Sequence, residues 1–302
     1  MFIGDWLGPG ERMELKETAR AHYLNNCYYA ISLDQIIRIA EALGQQDEMA
    51  PYRERLQKLR NKIHERYFDP FLGSYLNGDQ VRTAFALSAG IVPEELKPAV
   101  LNHLVKDMTG QHPYFDIGAP SRYAYFKILL AHPELRDITA SILSKTTPPG
   151  YGYFISQGKT TWPEAWDWDT HSSRVHTSFI GISAWFIKGL AGIEPDEKVP
   201  GYRTITLRPH VVKQLSYAKA GLDSPYGLIE SGWRKENGKV IYEISIPVGA
   251  KAQIYLPAKI SEITESGQPF ATKRGKSVEE SSSVLINVES GKYRFETINA
   301  IK

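Results

Sequence analysis

The chain has 302 residues, 42% of them hydrophobic and 23% charged, with 36 basic and 34 acidic side chains and a formal net charge of +2. That is the composition of a globular protein with a sizeable buried core, and its interspersed charges lack the single-sign block expected of a nucleic-acid or membrane-surface binder. One cysteine, Cys27, excludes an intrachain disulfide, and no apolar run approaches the ~20 residues of a membrane span.

The start, "MFIGDWLGPGERMEL", has no basic region followed by an apolar one, so no signal peptide is expected, and the compartment stays open. Gly4-Asp5-Trp6-Leu7 reads as an ordered loop met in mid-fold. Residues 13 to about 192 then read as helices. "ELKETARAHYLNNCYYAISLDQIIRIAEALG" carries Leu33, Ile36, Ile37 and Ala40 at helical spacing and ends at Gly44, a natural helix stop. "DEMAPYRERLQKLRNKIHERYFD" repeats the pattern with Tyr52, Leu56, Leu59, Ile63 and Tyr67, and Asp47 is its expected N-cap. "DQVRTAFALSAGI", "PEELKPAVLNHLVKDM", "APSRYAYFKILLAH" and "PELRDITASILSK" follow, each bounded by Gly or Pro. "SSRVHTSFIGISAWFIKGLAG" is apolar all round, as a buried inner helix would be. The longer connections, near 68–79, 108–119 and 146–172, hold much of the Trp, Tyr, His and Asp, and long loops on a helical scaffold are the usual place for a site.

After Pro195 the period becomes two. "YRTITLRPHV", the long run from "LSYAKAGLDSPYG" to "AKAQIYLP", and "SSSVLINVESGKYRFE" alternate apolar and polar residues. Asn237-Gly238 between two such runs is a strong hairpin signal. The expected organisation is a helical domain over 1–194 and an antiparallel β-sandwich over 195–302, with "GIEPDEKVPGY" as the linker.

One stretch stands apart. "TTWPEAWDWDTHSSRVH", Thr160 to His176, packs three of the six tryptophans, a glutamate, two aspartates and two histidines into seventeen residues. Sugar chemistry asks for this mixture. Indole rings stack on the C–H faces of a pyranose, carboxylates accept from its hydroxyls, and glycoside hydrolysis uses one carboxylic acid and one carboxylate. The plainer reading is core packing. It suits Trp185, inside an apolar helix, better than Trp162, Trp166 and Trp168, which alternate with Glu164, Asp167 and Asp169.

"GYGYFISQGKTTWPEAWDWD", "SRVHTSFIGISAWFIKGLAGIEPDEKVPGYRTITLRPHV" and "LDSPYGLIESGW", together with the early "GDWL" and "EALG", resemble the closing section of bacterial α-L-rhamnosidases of glycoside hydrolase family 78. The resemblance runs from residue 4 to about 295 and is most specific over 151–233. It implies part of an (α/α)6 toroid followed by a C-terminal β-sandwich, and inverting hydrolysis of terminal α-L-rhamnose. By that resemblance Glu164 matches the general base, although Pro163 stands where the family places Trp directly before it. Trp166 and Asp167 fit the Trp-Asp that follows the base, and Trp162 precedes it. His176 fits a histidine that helps hold the sugar; alternatively it caps a helix start or is bonded within the core. Asp5 and Trp6 match the loop at the barrel mouth, where Trp6 would wall the pocket and Asp5 would bond a hydroxyl or fix its own loop. "HPYFDIGAP", 112–120, is a further mouth loop. Arg174 and His171 read as exposed partners of Asp167 or Asp169.

The family's general-acid motif, rich in Asp, Glu and Arg and upstream of "GDWL", is not in this sequence, and roughly seven helices are expected where a closed barrel has about twelve. The expectation is the C-terminal part of a longer enzyme, a truncated product or a paralogue. Its expected partners are a rhamnose-containing carbohydrate and either the rest of such an enzyme or a second copy. No cofactor or metal, nucleic acid or membrane is expected. A non-catalytic carbohydrate-binding or interaction module is the second reading. A polysaccharide lyase is the third, and the setting of Glu164 argues against it.

Overall fold

A computed structural model describes residues 4–10, 12–13, 18–110, 112–167, 173–196, 199–270, 277–280 and 283–298. The chain divides into two compact units, 1–181 and 182–302.

The first unit is built of helical hairpins. Helix α1 spans Ala19–Ala42, and the Thr18 side chain accepts from the Ala21 N–H at 3.2 Å, satisfying one of the donors left open at a helix start. It buries Tyr23, Leu24, Cys27, Ala30, Ile31, Leu33, Ile37 and Ala40. Gly44 closes it at φ +73°, a conformation that glycine adopts without steric cost. Ile36, expected on the core side, is exposed along with Ile39 and Leu43. Asp47 does not cap the next helix. It lies within a 3-10 turn, Gln46–Met49, and α2, Ala50–Tyr67, begins after that turn with Pro51 in its first positions. Leu56, Ile63 and Tyr67 face inward, while Tyr52 is exposed.

The loop after α2 contains a small hairpin of β3, Phe68–Asp69, against β4, Ser74–Tyr75, much as β1, Trp6–Gly8, pairs with β2, Arg12–Met13. Helix α3, Gln80–Ser88, is buried on nearly every side and contacts α1 together with α4, Lys97–Thr109, and α5, Arg122–Ala131. Asp79 caps α3, accepting from the Arg82 N–H at 2.9 Å and from the Arg82 side chain at 2.9 Å. Tyr23 ties α1 to α3 by donating to the Arg82 carbonyl at 2.7 Å. The shorter helices α6, Arg136–Leu143, and α7, Tyr151–Ser156, complete the α-helices before the aromatic-acid loop. Among the described residues no helix is long and apolar enough to cross a membrane.

The last expected helix is not a regular one. Thr177–Ile182 is 3-10 and Trp185–Leu190 is a π-helix. Two glycines and several β-branched residues lower helix propensity here. The Trp185 ring also lies over Gly189, where an added Cβ would sit 2.9 Å from Trp185 Cδ1.

The second unit is a β-sandwich. Its strands are β5 (Ile193–Pro195), β6 (Thr204–Leu207), β7 (Tyr217–Ser224), β8 (Gly227–Glu236), β9 (Lys239–Ile246), β10 (Lys251–Leu256), β11 (Ile263–Glu265), β12 (Gln268–Pro269), β13 (Ser277–Glu280), β14 (Ser283–Val288) and β15 (Gly291–Ile298). One sheet runs β13-β14-β10-β6-β5 and the other β12-β11-β15-β9-β8-β7. Among the described residues, strand pairing in this unit is antiparallel except between β6 and β10. Asn237 and Gly238 both take positive φ, 50° and 75°, and join β8 to β9 with Glu236 opposite Lys239. This is the turn whose twist matches the strands it connects. The turns at Gly249 and Gly291 instead pass the chain from one sheet to the other, because β9 and β15 share one sheet while β10 and β14 share the second. Within this unit the Trp233 indole donates to the Leu190 carbonyl at 3.1 Å, and the Ser231 hydroxyl donates to the Ala191 carbonyl at 2.6 Å. Carbonyls at the end of the π-helix thus gain the partners a helix end lacks.

Candidate functional site

The 112–121 loop organises this part of the helical unit. Gln80 of α3 holds it from beneath, donating through Nε2 to the His112 and Tyr114 carbonyls at 2.9 and 3.0 Å. Its Oε1 accepts from the Asp116 N–H at 3.2 Å and from the Tyr125 hydroxyl at 2.7 Å. A buried amide with this many partners is a rigid clamp.

The Gly4–Gly8 segment docks on that loop. Asp5 is 1% exposed. Its Oδ2 accepts from the Gly118 N–H at 2.7 Å and its Oδ1 from the Ser121 hydroxyl at 2.7 Å. The Ala119 N–H donates to the Trp6 carbonyl at 2.8 Å. The approach is so close that a Cβ on Gly118 would lie 2.1 Å from the Trp6 carbonyl oxygen, so only glycine fits. Of the two roles open to Asp5, the structure displays loop fixation: the carboxylate is buried and accepts from the loop it braces, where a substrate contact was the other expectation. Trp6 is half-buried beside it.

The aromatic-acid loop docks on the same 112–121 loop. The Trp166 indole N–H donates to the Ile117 carbonyl at 2.6 Å. Its ring lies among Phe154 (stacked, 6.3 Å), Phe179 (edge-on, 4.7 Å) and Tyr151 (edge-on, 5.5 Å), and it is 4% exposed. Trp166, expected to touch substrate, is a core residue here, because both its ring and its one polar atom are committed to the fold. Trp162 is half-buried, with its ring edge-on to Tyr151 at 5.3 Å. Two backbone bonds draw the limbs of the loop together: Glu164 N–H to the Ser173 carbonyl at 3.1 Å, and His176 N–H to the Trp162 carbonyl at 2.8 Å. Thr161 adds a side-chain bond to the Arg174 carbonyl at 2.7 Å.

Glu164 is half-buried, and its carboxylate takes no hydrogen bond or ion pair from a described residue. Asp167 and Arg174 are exposed. Trp168, Asp169 and His171 lie outside the described residues. His176 is half-buried and accepts at Nδ1 from the Ser178 N–H at 3.1 Å, the helix-start capping that was one of its two expected roles.

Arg122 was not singled out from the sequence. It begins α5 under the aromatic cluster, with its guanidinium 3.5 Å from the Phe179 ring centre and 5.6 Å from that of Trp166. Burial pushes it down to about 10, partly offset by Tyr151 and Asp5, so it stays cationic at neutral pH. Its Nη1 donates to the Ser178 hydroxyl. The signal available was an arginine in the otherwise apolar "APSRYAYFKILLAH". Burial also pushes the Tyr151 hydroxyl up, and this group donates to the Phe179 carbonyl at 3.2 Å. Among the described residues no group of three or more His, Cys, Asp and Glu is placed to hold a metal ion.

The described residues combine a unit of helical hairpins, a β-sandwich unit and a half-buried glutamate, between Trp162 and Trp166 in the chain, whose carboxylate no described residue bonds. Residues 1–190 match the model of the bacterial α-L-rhamnosidase six-hairpin glycosidase domain, and residues 192–270 match that of the bacterial α-L-rhamnosidase C-terminal domain. The chain belongs to the bacterial α-L-rhamnosidase family. An α-L-rhamnosidase of Formosa agariphila is 28% identical across 97% of the chain and 32% of its own length, and one of Streptomyces avermitilis is 24% identical across 97% and 28%. The solved structure of the Dictyoglumus thermophilum α-L-rhamnosidase superposes with a TM-score of 0.86 at 26% identity, over 98% of this chain and 34% of that one. The Streptomyces avermitilis enzyme, solved with L-rhamnose, shares the fold with a TM-score of 0.83 at 24% identity, over 97% of this chain and 28% of that one. The chain therefore spans about a third of the length of the relatives it matches.

Proposed function

We propose that this protein takes part in inverting hydrolysis of terminal α-L-rhamnose, with Glu164 as the general base. The observation that carries the proposal is the contrast among its acids. Asp5 is buried and doubly bonded, while Glu164, between Trp162 and Trp166 in the chain, is half-buried with a carboxylate that no described residue bonds. Inversion needs a carboxylate that can take a proton from water on the face opposite the leaving group, and a carboxyl group roughly 6.5–9.5 Å away that protonates the leaving oxygen. We place that acid in the part of the rhamnosidase architecture which this chain does not span. Trp6, Trp162, Asp167 and His176 are the proposed sugar contacts, with residues 1–194 as the latter part of the helical barrel and 195–302 as the C-terminal domain.

The test is hydrolysis of an aryl α-L-rhamnoside by the protein in its full-length form, with the first-formed anomer read by NMR. Glu164→Gln is expected to lower kcat by about 10²–10⁴-fold, with L-rhamnose affinity by calorimetry retained. Near-normal turnover would make Glu164 a structural residue.

The second reading is a non-catalytic rhamnose-binding module, favoured by the third of a rhamnosidase that the chain spans. Saturable rhamnose binding with no turnover in any form of the protein would select it.

A further inference from the structure

His176 stands immediately before the 3-10 helix Thr177–Ile182, and its Nδ1 meets Ser178 twice. The Ser178 backbone N–H lies 3.1 Å away and the Ser178 hydroxyl oxygen 2.8 Å away. A backbone amide can only donate, so Nδ1 is an acceptor here and carries no proton. The hydroxyl oxygen itself accepts from Arg122 Nη1, which leaves the hydroxyl proton directed at Nδ1. Arg122 is 3% exposed, and its Nε and Nη2 have no hydrogen-bond partner among the described residues. Its guanidinium is held against Phe179 at 3.5 Å from the ring centre, so its charge is fixed beside Ser178 and opposes a proton on Nδ1. In a neutral imidazole with Nδ1 bare, the proton sits on Nε2.

We infer that Arg122 and Ser178 are positioning residues that hold His176 in its Nε2–H form, so that it offers the sugar a hydrogen-bond donor. The backbone bonds Glu164 to Ser173 and His176 to Trp162 place this donor on the limb facing the one that carries Glu164. A base needs to take a proton from water, and a fixed donor nearby holds a hydroxyl oxygen without competing for that proton. The sugar-facing half of the inference rests on the proposed site; the tautomer half rests on the hydrogen bonds alone.

The test is long-range ¹H–¹⁵N correlation of the histidine rings in the whole chain at neutral pH, with His176 assigned by its loss in His176→Asn. The expected spectrum has a bare, pyridine-type Nδ1 and a protonated, pyrrole-type Nε2; a protonated Nδ1 overturns the inference. Ser178→Ala removes one of two donors to Nδ1, and the ratio of Nε2–H to Nδ1–H should fall about 2- to 10-fold, the worth of one neutral hydrogen bond. Ser178→Thr should restore it. An unchanged ratio in Ser178→Ala removes the serine from the device. Arg122→Lys, still cationic and able to donate, should hold the ratio while Arg122→Met lowers it; equal ratios in the two remove the arginine. Should Arg122→Met not fold, the pair of Ser178 variants decides. Titration with L-rhamnose separates the two halves. A shift of the Nε2 resonance supports both, whereas no shift with the Nε2–H form intact overturns the sugar-facing role and leaves the tautomer assignment standing.

Discussion

Two segments of the helical unit, Gly4–Gly8 and Thr161–Asp167, dock on the same 112–121 loop, each with a carboxylate and tryptophan near the contact, and they spend these groups in opposite ways. In the first, the acid is the anchor: Asp5 is buried and accepts from Gly118 and Ser121, while Trp6 stays half-buried. In the second, the tryptophan is the anchor: Trp166 is buried with its N–H on Ile117, while Glu164 stays half-buried with a carboxylate that no described residue bonds. A carboxylate whose oxygens accept from fixed donors has little left to offer a substrate, and a buried ring with a satisfied N–H has no face to give a sugar. Residue type alone does not assign the role; the state of each group's bonding does.

The comparison can be broken by substitution. Trp166→Ala should be the most damaging, costing about 3–5 kcal/mol, because it empties the centre of the cluster formed by Tyr151, Phe154 and Phe179 and strands the Ile117 carbonyl. Thermal or urea unfolding checks this; a loss near that of a surface residue would show that the ring is not an anchor. Asp5→Ala should cost about 2–4 kcal/mol in the same assay, since it leaves the Gly118 N–H and the Ser121 hydroxyl buried without partners. Trp162→Ala, half-buried against Tyr151, should cost about 1–2 kcal/mol and weaken rhamnose binding measurably by calorimetry. Glu164→Gln should move stability by no more than about 0.5 kcal/mol, because no described group leans on its carboxylate. A large stability loss there, with sugar binding unchanged, would move Glu164 to the scaffold class that Asp5 occupies.

Much of the architecture was legible because it is local. Leu33, Ile37 and Ala40 lie on a helix face that the 3.6 period picks out, and Asn237-Gly238 makes a turn that two adjacent residues encode. Ile36 and Asp47 escaped the same logic. An apolar residue at helical spacing is buried only if something packs on it, and the 3-10 turn Gln46–Met49 carried Asp47 out of the capping position. The irregular helix over 177–190 escaped too, since periodicity registers which residues are apolar and not whether a ring such as Trp185 must lie across Gly189.

By itself the sequence determined the change from helical to strand period near Pro195, the crowding of acids and indoles between Thr160 and His176, and the motifs that resemble the rhamnosidases. These depend on neighbours along the chain. Only the tertiary structure decided which acid is a brace and which is uncommitted, that Gly118 must lack a side chain, and that Arg122 reaches Ser178 across 56 positions of sequence. Those roles depend on which donors and rings arrive from distant segments to complete each group's bonding, and nothing in the residues beside a carboxylate or a guanidinium announces what will be folded against it.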